Sequence, residues 1–312
     1  MIRRCLSALA LCLLFANLIE AAPRKPIKVF ILAGQSNMEG HGTIAANSAQ
    51  NNGKGSLEYL VSNSDTAEQY QHTVNSDGTW VKRNDVWIEY LGRKGNLSVG
   101  FGARDHLFGP EFQFGHVIGD HFKEQVLIIK TAWGGKSLAG DFRPPSSGGE
   151  TGPFYTQMVD HVKQVLNDLE KHFPDYRGQG YSIEGFGWHQ GWNDGLKHDT
   201  VAEYESNLVN LIHDLRKAFE TPQLPVVIAN SGFGGNDQKI DRRLGIIKAQ
   251  LNVAKRKEFA KSVFTVETRP FFRPAEVSPS RQGYHWNHNA ETHFLIGDHM
   301  GKAMVKLISS EK

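Results

Sequence analysis

Two cysteines occur in 312 residues, and both, Cys5 and Cys12, fall in the first dozen positions. If that segment is removed, nothing remains for a disulfide, a zinc–thiolate site or a cysteine nucleophile. Excess charge of one sign is also missing. Lys and Arg number 35 against 33 Asp and Glu, a formal net charge of +2. The basic residues are scattered rather than striped, which argues against a nucleic-acid partner. Long apolar runs are absent apart from residues 5–19, CLSALALCLLFANLI, a stretch short for a membrane span. There is no internal repeat, and low complexity is confined to Ser146-Ser147-Gly148-Gly149. Gly135-Lys136-Ser137 does not complete a phosphate-binding loop, because Lys130 stands where the first glycine is required.

The apolar run at the start has the anatomy of an export signal. Met1-Ile2-Arg3-Arg4 precedes it, and Ala21-Ala22 supplies small residues for cleavage. Leu11 before Cys12 does not suit a lipoprotein site. The sequence thus predicts a signal over 1–22 and a mature chain over 23–312 without membrane insertion. The destination is periplasmic or extracellular. An exported domain lacking disulfides must be held by its core, and it suits a bacterial envelope better than a disulfide-rich animal scaffold.

Apolar content of 39% and charged content of 22% allow such a core. Strands are predicted at Lys28–Ala33, Val126–Lys130, Ser182–Trp188, Pro225–Asn230 and Ser262–Val266, mostly apolar as strands buried on both faces should be. Helical stripes run through Met158, Val162, Val165, Leu166 and Leu169. A second runs through Tyr204, Leu208, Leu211, Ile212, Leu215 and Phe219, and a third through Ile296, Met300, Ala303, Met304 and Leu307. Alternating strands and helices imply an α/β fold, a parallel sheet covered on both faces. Ligands in such sheets bind beyond the carboxyl ends of the strands. Residues 41–115, rich in Asn, Ser, Gly and His, read as a loop-rich insertion in a single domain rather than a domain of their own.

Polar turns follow the predicted strands. In GQSNMEG (34–40), Ser36 is either a helix cap or a nucleophile near the orphan N–H groups of a helix start, with the amides of Gln35 and Asn37 beside it. A serine nucleophile needs a base and an orienting group. Of the 14 histidines, His285 in GYHWNHNAETHF is best placed, in a loop just before the last helix. His288 and His293 compete, and His293 should lie inside that helix. In GFGWHQGWND (185–194), Gln190 could donate to an oxyanion and Asp194 could orient a histidine; a turn with an aspartate cap is the alternative. In KTAWGGKSL (130–138), the Gly-Gly pair could turn backbone N–H groups toward a ligand.

Together, Gly34-Gln35-Ser36-Asn37-Met38, Trp133-Gly134-Gly135, Trp188-His189-Gln190-Gly191-x-Asn193-Asp194 and His285 resemble the SGNH (GDSL-like) hydrolase superfamily. Within it they resemble the carbohydrate acetylesterase branch, of the sialate O-acetylesterase and acetylxylan-esterase type, over about residues 27–308. The resemblance implies a three-layer α/β/α sandwich with a flavodoxin-like sheet. It implies hydrolysis of acetyl esters on a carbohydrate, with Ser36 as nucleophile and His285 as base. The implied oxyanion hole comprises the Ser36 N–H, Gly134 or Gly135, and Gln190. Gln35, Asn37, Trp133, His189 and Arg143 are the expected substrate contacts, and no metal or cofactor is implied. Two positions depart from the pattern. Gln282 stands where many relatives carry an aspartate three residues before the histidine, and Trp192 replaces a glutamate. Asp194 is then the expected acidic member. Trp80, Trp133, Trp192 and Trp286 are candidates for stacking on sugar rings.

Overall fold

A computed structural model of the protein describes residues 24–310. The predicted export signal lies outside these residues. Among the described residues, no helix is long and apolar enough to cross a membrane.

In chain order the strands are β1 (Ile27–Gly34), β2 (Gly42–Thr43), β3 (Arg83–Tyr90), β4 (Arg93–Leu97), β5 (Leu107–Phe108), β6 (Val126–Ala132), β7 (Tyr181–His189), β8 (Val226–Ala229) and β9 (Val263–Val266). The α-helices are α1 (Ser36–Glu39), α2 (Leu57–Ser62), α3 (Ala67–Tyr70), α4 (Glu111–His121), α5 (Pro153–Asn167), α6 (Leu169–His172), α7 (His198–Ala218), α8 (Asp241–Val253) and α9 (Ala290–Ser310). All five predicted strands are present, and the three predicted stripes are the buried faces of α5–α6, α7 and α9.

The main sheet has the order β4-β3-β6-β1-β7-β8-β9. Only β4 runs antiparallel, as the outer strand of a hairpin with β3. Without β3 and β4 the order is the flavodoxin-like 2-1-3-4-5. β1 is central and its side chains alternate between two cores. Val29 and Ile31 pack with α5, α7 and α8; Phe30 and Leu32 pack with α4 and α9. That alternation within an apolar run is what two covered sheet faces require. The architecture is therefore the expected three-layer sandwich.

The segment 41–115 corrects one expectation. It is not loop throughout: it supplies β3 and β4, extending the sheet by two strands. Polar residues hide β3 in the sequence. Arg83, Asn84 and Asp85 open it, and Glu89 interrupts its apolar end. Glu89 is tolerated because its buried carboxylate pairs with His161 Nε2 on α5 at 2.6 Å. A buried charge needs such a partner.

Strand register sets the location of the site. Gly34 at the end of β1 pairs with Ala132 of β6 on one side and His189 of β7 on the other. Three strands thus finish level, and the segments after them share one edge of the sheet. Gly34 cannot carry a side chain, since a Cβ there would lie 2.1 Å from the His189 carbonyl oxygen.

Candidate active site

Ser36 opens the single turn of α1 directly after β1, where its N–H is one of those a helix start leaves without an intrahelical acceptor. It is mostly buried, at 8% exposure. The turn is locked from below by Lys130 of β6. Its Nζ donates to the Glu39 carbonyl at 2.7 Å, to the Phe101 carbonyl at 2.8 Å and to Glu111 Oε2 at 2.7 Å. Lys130 and Glu111 are both fully buried. Burial pushes the Glu111 carboxyl up and the Lys130 amine down, and their mutual attraction opposes both shifts. Three acceptors for three ammonium protons are what a charged lysine needs in a dry interior.

The His285 loop is bound to this turn. Asn37 Nδ2 donates to the Tyr284 carbonyl at 3.1 Å, so the residues after the serine and before the histidine are joined across the chain. His285 lies on a six-residue 3-10 segment, Gly283–His288. Trp286, Asn287 and His288 all have left-handed backbone, with φ of 55°, 55° and 60°. Such conformations cost on the order of 1–3 kcal/mol each for non-glycine residues and persist where surrounding contacts impose them. Here Trp286 is fully buried, and Asn287 Nδ2 donates to the Arg273 carbonyl at 3.0 Å.

His285 has neighbours that the sequence did not reveal. Its ring stacks on His41, with centroids 3.8 Å apart and planes at 10°. His288 lies 5.3 Å from His41 and 5.8 Å from His285, centroid to centroid. Burial is the main cause holding all three imidazoles neutral: His41 falls to about 3 and His285 to about 4, and His288 is lowered as well. His293 is buried inside α9, as expected, and is also shifted down. His41 follows the serine turn at short range, and that proximity to Ser36 was the available signal.

The acidic member is corrected. Asp194 accepts from the Leu138 N–H at 2.9 Å, the Ala139 N–H at 2.8 Å and Gln190 Nε2 at 2.5 Å. Its carboxylate thus faces the 138–139 turn, not a histidine. The side-chain partner of His285 Nδ1 is instead Gln282 Oε1 at 3.3 Å. The same oxygen lies 3.1 Å from His288 Nε2. Burial raises Asp194 to about 6, against its hydrogen bonds.

Gln190 is also placed differently from expectation. Its Nε2 donates to the Lys136 carbonyl and to Asp194, and its Oε1 accepts from Tyr204 Oη at 2.9 Å. With both amide atoms committed, it braces the turn after β7 and does not offer a donor to an oxyanion. Gly134 faces Glu39: its backbone N–H is among the groups stabilising that carboxylate, whose pKa burial raises. A Cβ on Gly134 would lie 3.9 Å from Ser36 Cβ, so this turn adjoins the serine. Gly135 is exposed with φ of +71° and open space on its Cβ side. Asn193 Nδ2 anchors the Gly135 carbonyl.

Most of the expected substrate contacts are structural. Gln35 is buried and its Oε1 accepts from the Gly191 N–H at 3.0 Å. Asn37 is buried and spent on Tyr284. His189 is buried, its Nδ1 against the Ala229 carbonyl at 3.0 Å. Arg143 directs its donors at the carbonyls of Ala139, Ser147 and Gly148 and at Glu203. Trp133 is half-buried against Phe142 and Phe154. Trp286 is too buried to meet a sugar. Trp192 is half-buried beside Phe233 and Tyr284, with the Arg243 guanidinium 4.2 Å from its ring centroid.

Comparison with known proteins agrees with this geometry. A family model described as "carbohydrate esterase, sialic acid-specific acetylesterase" matches residues 26–306. A probable carbohydrate esterase of Arabidopsis thaliana is 21% identical over 227 residues, covering 72% of this chain and 77% of the plant protein. Its X-ray structure superposes with a TM-score of 0.59 at 18% identity, covering 89% of this chain and 98% of that one. A carbohydrate acetylesterase from Xanthomonas citri gives a TM-score of 0.54 at 12% identity, covering 88% of this chain and 55% of that one. With the SGNH-type sandwich and a family match over nearly all of its described length, the chain belongs to the carbohydrate esterase family of the sialic acid-specific acetylesterase type.

Proposed function

We propose that the protein is a serine esterase that removes O-acetyl groups from carbohydrates, polysaccharide or sialic acid, through an acetyl-serine intermediate. The observation that carries this reading is the 3.1 Å bond from Asn37 to the Tyr284 carbonyl. It joins the residue after Ser36 to the residue before the half-buried His285, which supports assigning the two to one site.

In this mechanism His285 takes the Ser36 proton as Oγ attacks the acetyl carbonyl. The Ser36 and Gly135 N–H groups face the developing negative oxygen, each such donor being worth about 2.7–4 kcal/mol of barrier. The tetrahedral intermediate collapses, the ester C–O bond breaks, and imidazolium returns the proton to the departing sugar oxygen. Water then attacks the acetyl-serine with His285 again as base, releasing acetate and restoring the hydroxyl. Gln282 Oε1 accepts the His285 Nδ1 proton and leaves Nε2 as the basic nitrogen. It fixes the tautomer without the charge of a carboxylate, so the imidazolium is less stabilised than in a Ser-His-Asp triad. Export through the leader would bring such an enzyme to acetylated glycans outside the cytoplasm.

The test is acetate release from a panel of acetylated glycans and from nitrophenyl esters of increasing acyl length. The wild type should favour acetyl, and Ser36→Ala should abolish turnover while the fold persists. Equal rates on long acyl chains would replace the carbohydrate reading by a general esterase. Glycan binding without hydrolysis would replace it by a binding protein.

A further inference from the structure

We propose that His41, His285 and His288 form a binding site for a divalent transition-metal ion of the zinc class, and that its occupancy reversibly shuts the esterase. The inhibitory half rests on His285 being the general base; the binding half does not.

One ring nitrogen from each of the three histidines lies within 4.8 Å of the others. A zinc ion held at about 2.0–2.1 Å by tetrahedral ligands needs those nitrogens roughly 3.3 Å apart, with the ion in the plane of each ring, so the set closes when His41 and His285 turn out of their parallel stack. The rings are already gathered, His41 stacked on His285 and His288 beside both. All three are half-buried, reachable from solvent yet partly shielded from water.

The donor set selects the metal class. Three imidazoles suit Zn²⁺, Cu²⁺ or Ni²⁺, whereas Mg²⁺ and Ca²⁺ require oxygen ligands. Three protein ligands also leave a position for water. Gln282 supplies the outer partner that ligating histidines usually have: its Oε1 contacts a nitrogen of His285 and one of His288, leaving one lone-pair nitrogen on each ring. The stacking of His41 on His285 joins the segment just beyond the serine turn to the loop 283–288. A metal there would cross-link the two segments and occupy the lone pair that accepts the Ser36 proton.

The experiment uses the mature chain after chelator treatment, titrated with Zn²⁺ by equilibrium dialysis and with Co²⁺ by visible absorption. One equivalent should bind, with the visible bands of a nitrogen-ligated Co²⁺. His41→Gln and His288→Gln should each weaken binding at least 10-fold, on the scale by which even outer-shell partners alter metal affinity. Acetyl-ester hydrolysis should fall in step with occupancy and return on adding chelator. Ser36→Ala should bind the metal as the wild type does, so the site can be judged even if the serine mechanism fails. No stoichiometric binding, or binding unaltered in both variants, overturns the site. Stoichiometric binding without inhibition overturns the inhibitory role. If either glutamine variant fails to fold, the wild-type Co²⁺ spectrum decides: bands without imidazole character reject the site.

Discussion

Asn37 and Tyr284, 247 positions apart in the chain, meet through one hydrogen bond from the Asn37 amide to the Tyr284 carbonyl. Its partners flank the two residues assigned to proton transfer, Ser36 and His285. Replacing Asn37 by Ala should therefore loosen the histidine loop more than the fold. The expected result is a fall in kcat of about 10- to 100-fold, since displacement of a reacting group by about 1 Å costs on that order. The melting temperature should change by only a few degrees, and steady-state kinetics beside thermal melts check both.

Gln282 supplies a neutral acceptor where a carboxylate would stabilise imidazolium. Gln282→Asp should raise kcat on acetyl esters, by up to about 100-fold, within the range a positioned acid–base group contributes. Gln282→Ala should lower it about 10-fold by freeing the ring. A comparison of kcat with KM checks the assignment: an orienting role changes kcat while leaving KM near its wild-type value.

The sandwich was legible because β1, β6, β7, β8 and β9 are apolar runs and α5, α7 and α9 carry regular stripes. β3 was not, because its polar start and its buried Glu89 break the run, and that glutamate is explained by its partners in the fold, His161 and the Gly92 N–H. At the site, Ser36 and His285 stood out by position, after a strand and before a helix. The roles of Gln190, Asp194 and Arg143 did not, because a polar residue in a turn reads the same whether it faces substrate or its own backbone. Asp194 spends its oxygens on Leu138 and Ala139, a choice made by three-dimensional neighbours. His41 was missed for a related reason: its importance lies in the ring it stacks on.

Asp194 should accordingly affect stability. Its folded-state value is raised by burial to about 6 from 3.8, so the folded protein binds this proton more tightly than the unfolded chain. The contribution is fully present below the unfolded value and is lost as pH rises through about 6. The shift corresponds to roughly 3 kcal/mol. The unfolding free energy of the wild type relative to Asp194→Asn should fall by about that amount between pH 3 and 7 in urea titrations. The kcat of folded Asp194→Asn should not show the loss of about 10⁴ expected of a triad aspartate.

Lys130 carries the buried charge beneath the serine turn. Lys130→Met strands Glu111 and frees the Glu39 and Phe101 carbonyls from their shared donor. Breaking a buried pair from one side costs about 3–5 kcal/mol. Chemical denaturation should show that loss, and Glu111→Gln combined with Lys130→Met should recover part of it.

The most direct measurement is mass spectrometry of the enzyme quenched in acid during turnover of an acetyl ester. The account predicts a single acetyl group on the peptide containing Ser36, absent in Ser36→Ala and discharged when turnover continues. An active enzyme whose Ser36→Ala variant hydrolyses the same ester at the wild-type rate would contradict it.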